Sequence, residues 1–129
     1  MAVLAKARGI NLLNLVRRAE AAKELTDLGI ENVLVTTDAG WKDAARAIIG
    51  NSGAVSAVDS VGGALAADLC ELLAVNGELV VFGTATGTPL ALPSGPIIFK
   101  HITVKGFWGS RVSNDMPADD RKRLITELV

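Results

Sequence analysis

The chain has 129 residues, with 13 basic and 14 acidic side chains and a formal net charge of −1. Hydrophobic residues make up 50% of it and mean hydropathy is +0.38, enough apolar material for one buried core and too much for a disordered chain. The near-neutral balance argues against a partner of nucleic acid, and no apolar run approaches the ~20 residues of a membrane span.

Residues 1–8 read as the last turns of a helix closed by Gly9. The run INLLNLV at 10–16 has the pattern of a strand covered on both faces in a parallel sheet, with Arg17 and Arg18 at its carboxyl end. Residues 19–28 form an amphipathic helix stopped by Gly29. A second strand at 32–36 leads into a turn at 37–40 that can cap a helix at 41–49. The pattern then predicts a strand at 54–58 ending in Asp59-Ser60-Val61-Gly62-Gly63, a helix at 64–75, a tight Asn76-Gly77 turn, and a strand at 78–82. A loop bearing Pro89, Pro93 and Pro96 follows, residues 97–99 and 102–107 suggest a fifth strand, and Pro117 introduces a final helix at 118–128. Strands separated by helices of this length predict right-handed crossovers, hence an α/β, Rossmann-like, doubly wound parallel sheet. Ligands of such sheets bind beyond the carboxyl ends of the strands.

Four groups of residues stand at those ends. Arg17 and Arg18 can fork onto an anionic oxygen or stack on a flat ring, or they form a solvated charged loop. An NAD site presents a carboxylate at this position, whereas basic residues accommodate the 2′-phosphate of NADP. Asp59 and Ser60 can bond a sugar or cap the next helix, and the paired glycines beyond them allow close backbone approach. Gly83-Thr84 offers backbone amides free of bulky side chains, and Phe107-Trp108 is either core filling or a wall for a flat ligand. His101 is the single histidine, and Cys70 the single cysteine; neither has the companions of a metal site or a nucleophile, and a lone cysteine fits a reducing, cytoplasmic setting.

Taken in order, AKARGI-NLLNLVRR, the strand ending in DSVGG, ELVVFGT and LPSGPIIFKHITVKGFWGSR resemble the cofactor domain of the medium-chain dehydrogenase/reductase superfamily. The resemblance is greatest to its zinc-free branch of enoyl-reductase and quinone-reductase-like proteins, which use NADPH. It implies NADP(H) contacts at Arg17 and Arg18 for the adenosine phosphate, at Phe82, Gly83, Thr84 and Ala85 near the nicotinamide half, and at Phe107, Trp108 and Gly109 beside the ring. No catalytic residue and no metal ligand carries over. Enoyl reductases place a tyrosine beside the substrate, and this chain contains no tyrosine.

The superfamily's first strand and Gly-rich pyrophosphate turn have no counterpart here, so residues 1–129 are expected to be a partial NADP(H)-binding Rossmann domain without its catalytic domain. In the strand order 3-2-1-4-5-6 that strand is central, and its absence leaves two interior edges unpaired. Either the remaining strands close up or another chain fills the gap. The leading expectation is the cofactor-binding part of an NADPH-dependent oxidoreductase acting on an activated double bond, inactive by itself, in the cytoplasm or, as in the resembling family, the mitochondrial matrix. The alternative is a noncatalytic Rossmann-like module for self-association or weak nucleotide binding. A homodimer through the last strand, at 102–107, is expected because that strand forms a sheet edge, with Lys105 as the counterargument.

Overall fold

The computed structural model describes residues 1–128, and the chain divides into two compact units, Met1–Ala54 and Val55–Val129. Among the described residues five strands form two sheets.

In the first unit, helices α1 (Ala2–Ala7) and α2 (Ala19–Asp27) end by the same device. Gly9 and Gly29, at φ of +64° and +72°, turn the chain so that the next amides fold back: Ile10 N donates to Ala5 O at 2.9 Å and Ile30 N to Leu25 O at 3.0 Å. Lys6 Nζ donates to Gly29 O at 2.7 Å and ties the two helix ends together. Strands β1 (Asn14–Val16) and β2 (Val33–Val35) pair in parallel, Asn14 with Val33 and Val16 with Val35. The strand expected over seven residues thus forms over three, because β2 offers only three partners. Its residues are half-buried, not covered on both faces. Helix α3 (Trp41–Ile49) starts at Gly40 with no side-chain cap, so the turn at 37–40 reverses the chain without Thr37 or Asp38 capping the helix.

The second unit contains β3 (Ala54–Asp59, which begins at the boundary), α4 (Leu65–Leu72), β4 (Leu73–Val81), α5 (Ser94–Phe99), β5 (Thr103–Gly106), α6 (Gly109–Asp115) and α7 (Ala118–Leu128). The sheet order is β3-β4-β5, with β4 and β5 parallel in a register that sets Glu78 opposite Thr103 and Val81 opposite Gly106. Leu69, Cys70, Leu72, Leu73, Leu79 and Ile102 are buried and form the core of this unit. The helix expected to reach residue 75 ends at Leu72, and the Asn76-Gly77 turn lies inside the span of β4, with Asn76 at φ +62°.

Residues 97–99 belong to a helix and not to the fifth strand. The short apolar run Ile97-Ile98-Phe99 fits either period, and its stop signal is the unexpected His101 at φ +51°. His101 N donates to Ile98 O at 3.4 Å and Ile102 N to Ile97 O at 3.1 Å, the arrangement that glycine supplies to α1 and α2. Lys100 Nζ donates to the carbonyls of Glu71 (2.8 Å) and Leu73 (3.0 Å), a cation closing the end of α4. Arg121 Nη2 likewise meets the carbonyls of Ser113, Asn114 and Met116 at the end of α6. No described helix is long and apolar enough to cross a membrane.

Candidate functional site

In the first unit, Arg17 and Arg18 leave β1 at its carboxyl end, both exposed. Arg18 is the extended residue preceding α2, and its carbonyl accepts from Ala22 N at 3.2 Å. The Arg17 carbonyl accepts from Thr37 Oγ1 at 3.1 Å, which fixes the backbone under the pair against the end of β2. Neither guanidinium has an ion-pair partner among the described residues. Two cations beside a helix N-terminus, with the positive end of its dipole, raise a local potential that attracts an anion. Glu20 in the first turn of α2 is the nearest acid in sequence.

In the second unit, residues 82–85 follow β4 and residues 107–109 follow β5, and the parallel register places both at the same end of adjacent strands. Phe107 N donates to Val81 O at 2.8 Å, extending the ladder by one bond. Phe82, Phe107 and Trp108 are 48%, 47% and 69% exposed, so the aromatic pair at 107–108 does not fill the core. Trp108 precedes α6 in extended conformation, and Gly109 sits under the Phe107 ring, 3.5 Å from where its Cβ would be.

The segment after β4 is anchored on either side of the Gly83-Thr84 pair. Phe82 N donates to Asp59 O (2.9 Å), Ala85 N to Ser60 O (3.1 Å) and Thr86 N to Val61 O (3.0 Å). These three amides hold the loop, and the Gly83 and Thr84 amides between them donate to no backbone carbonyl among the described residues. Gly83 is glycine for a packing reason, since a Cβ there would stand 2.9 Å from Ser60 O. Thr84 is exposed, and its carbonyl accepts from Gly87 N at 3.0 Å. Asp59 caps no helix: α4 starts at Leu65 after Ala64, without a side-chain cap. Its carboxylate instead accepts from the amides of Val61 (2.8 Å) and Gly62 (3.2 Å). The sequence signal for this was an aspartate two and three residues before the amides it holds, the spacing of an Asx turn.

Alternating strands and helices with parallel pairing define an α/β domain of Rossmann type. A family model described as zinc-binding dehydrogenase matches residues 1–124, and the chain belongs to that family. The mitochondrial enoyl-[acyl-carrier-protein] reductase of Yarrowia lipolytica is 32% identical over 91% of this chain and 33% of its own length. Among solved structures, the mitochondrial 2-enoyl thioester reductase Etr1p/Etr2p heterodimer from Candida tropicalis superposes with a TM-score of 0.76, 23% identity, and coverage of 88% of this chain and 34% of that one. A complex of Etr1p with NADP and crotonyl-CoA gives a TM-score of 0.78, 22% identity and coverage of 95% and 35%. The chain thus spans about a third of the length of these relatives. The resemblance to medium-chain reductases read from the sequence holds.

The family's name invokes zinc, but among the described residues no three His, Cys, Asp or Glu side chains cluster to hold a metal ion. The residues present do not fit one. In the first unit the exposed arginines after β1 suit an anion, and in the second the exposed rings after β4 and β5 suit a flat group.

Proposed function

We propose that this chain is the NADP(H)-holding part of an oxidoreductase that reduces an activated double bond, of enoyl-thioester or quinone type. The observation that carries the reading is the exposed, unpaired Arg17-Arg18 at the carboxyl end of β1, where an NAD-specific site presents an acid. The Etr1p complex, which holds NADP and crotonyl-CoA, supports the choice of cofactor and of substrate class. Bound NADPH supplies the hydride, and the protein supplies position.

In this reading Arg17 and Arg18 take the 2′-phosphate. Phe82, Gly83, Thr84 and Ala85 border the nicotinamide half, and Phe107, Trp108 and Gly109 flank the ring and exclude water from one face of it. None of these residues moves a proton, and the chain contains no tyrosine to stand beside a substrate. The isolated chain therefore binds cofactor without turnover. Its partner is a second copy, joined through the outer edge of β5, and its setting is a reducing one, cytoplasm or mitochondrial matrix, which suits a chain with a single cysteine. Titration of NADPH and NADH into the chain, followed by the fluorescence of Trp41 and Trp108, tests the reading. Tighter binding of NADPH supports it, and equal affinities overturn it.

A further inference from the structure

We infer that Asp59 is the positioning residue of the segment 82–85, holding it in the shape that meets the nicotinamide half of the cofactor; this rests on the function proposed above. Asp59 is 1% exposed, the one buried charged residue among those described, and it makes no ion pair. Its carboxylate takes the amides of Val61 and Gly62.

The consequence follows from the planar trans peptide, in which N–H and C=O of one unit point in opposite directions. With Val61 N–H turned toward Asp59, the Ser60 carbonyl of the same peptide points away, and there it receives Ala85 N at 3.1 Å. With Gly62 N–H turned toward Asp59, the Val61 carbonyl points away and receives both Thr86 N and Thr86 Oγ1 at 3.0 Å. Asp59's own carbonyl receives Phe82 N. One buried carboxylate thus sets two peptide planes whose outer faces grip residues 85 and 86, while the backbone carbonyl of the same residue holds residue 82. Gly83 completes the fit by lying flat on Ser60, and Gly63 by making room for Thr88 Oγ1, which would stand 2.8 Å from a Cβ there. Among the described residues loop 82–86 has no covalent or side-chain anchor of comparable burial, so its conformation is imposed from 59–63.

The test compares two probes: NADPH, and adenosine 2′,5′-bisphosphate, which lacks the nicotinamide half. Asp59→Ala should weaken NADPH at least tenfold and leave the bisphosphate within twofold. Asp59→Asn, which keeps an acceptor for the two amides, should bring NADPH back to within about threefold of the unmodified chain. Thr86→Val, at an exposed side chain where folding is not at stake, should weaken NADPH about threefold and spare the bisphosphate. It decides the matter by the same criterion should Asp59→Ala not fold. Parallel loss of both probes, as a merely structural role would give, overturns the inference, as does no loss of either. If the unmodified chain binds the bisphosphate as tightly as NADPH, the inference fails and the cofactor reading stands. If it binds neither, the cofactor reading fails first and takes the inference with it.

Discussion

Lys105 Nζ lies 3.0 Å from Glu78 Oε2, a diagonal pair across the β4–β5 ladder. Lysine on an edge strand ordinarily guards against pairing with another chain. Here the ammonium is drawn back over the sheet toward β4, away from the outer edge of β5, where Val104 is half-buried. We expect a dimer mass by light scattering at tens of micromolar, and a monomer for Val104→Pro that retains its far-ultraviolet circular dichroism. A monomer in the unmodified chain counts against pairing at β5.

The arginine pair should decide cofactor choice. Replacing Arg17 and Arg18 together with alanine should abolish the preference for NADPH over NADH, since a hydrogen bond to a charged group contributes roughly 1.5–3 kcal/mol. Because both side chains are exposed, thermal stability should change little. Isothermal titration with the two cofactors gives the answer, and a double variant that still prefers NADPH would remove the arginines from the site.

Turnover should be absent. With NADPH and either crotonyl-CoA or a quinone, the isolated chain should oxidise cofactor no faster than buffer, because a cofactor held without a positioned substrate gains no proximity advantage. Absorbance of the reduced nicotinamide follows it directly. Rates well above buffer would show that this chain carries catalytic groups of its own.

His101 offers a test of the fold. An L-residue in the left-handed region costs about 1–2 kcal/mol, part of which glycine returns as unfolded-chain entropy. His101→Gly should therefore stabilise the chain by roughly 0.5–1 kcal/mol in urea unfolding. Cofactor affinity should not change. Destabilisation would mean that the imidazole makes a contact worth more than the strain.

Cys70 should be silent at neutral pH. It is fully buried, and burial pushes its thiol above the ordinary value of 9.0, with Lys100 opposing by a smaller amount. A thiol whose folded-state value is raised contributes stability that is fully present below pH 9.0 and is lost as pH rises through the folded-state value. The urea midpoint of the unmodified chain should fall more steeply above that pH than the midpoint of Cys70→Ala. Alkylation of the native protein should be slow and should accelerate only on unfolding. Fast labelling of the folded chain would contradict the burial.

What the sequence determined by itself was local: Gly9 and Gly29 as helix stops, the helices over most of their lengths, and the arginine pair after the first strand, because each depends on a few neighbouring residues. At 97–99 three apolar residues carry no period, and only the docking of Lys100 onto the end of α4 and the left-handed His101 make them a helix. The strand at 10–16 shortened to Asn14–Val16 because strand length depends on the partner, which lies elsewhere in the chain. The same holds at the candidate site. The sequence showed an aspartate, two glycines and a Gly-Thr pair as separate signals for turns or ligands. Tertiary structure decided that Asp59 and Gly83 belong to one loop-on-loop arrangement, since a hydrogen bond between Ser60 and Ala85 is invisible until the chain between them has folded.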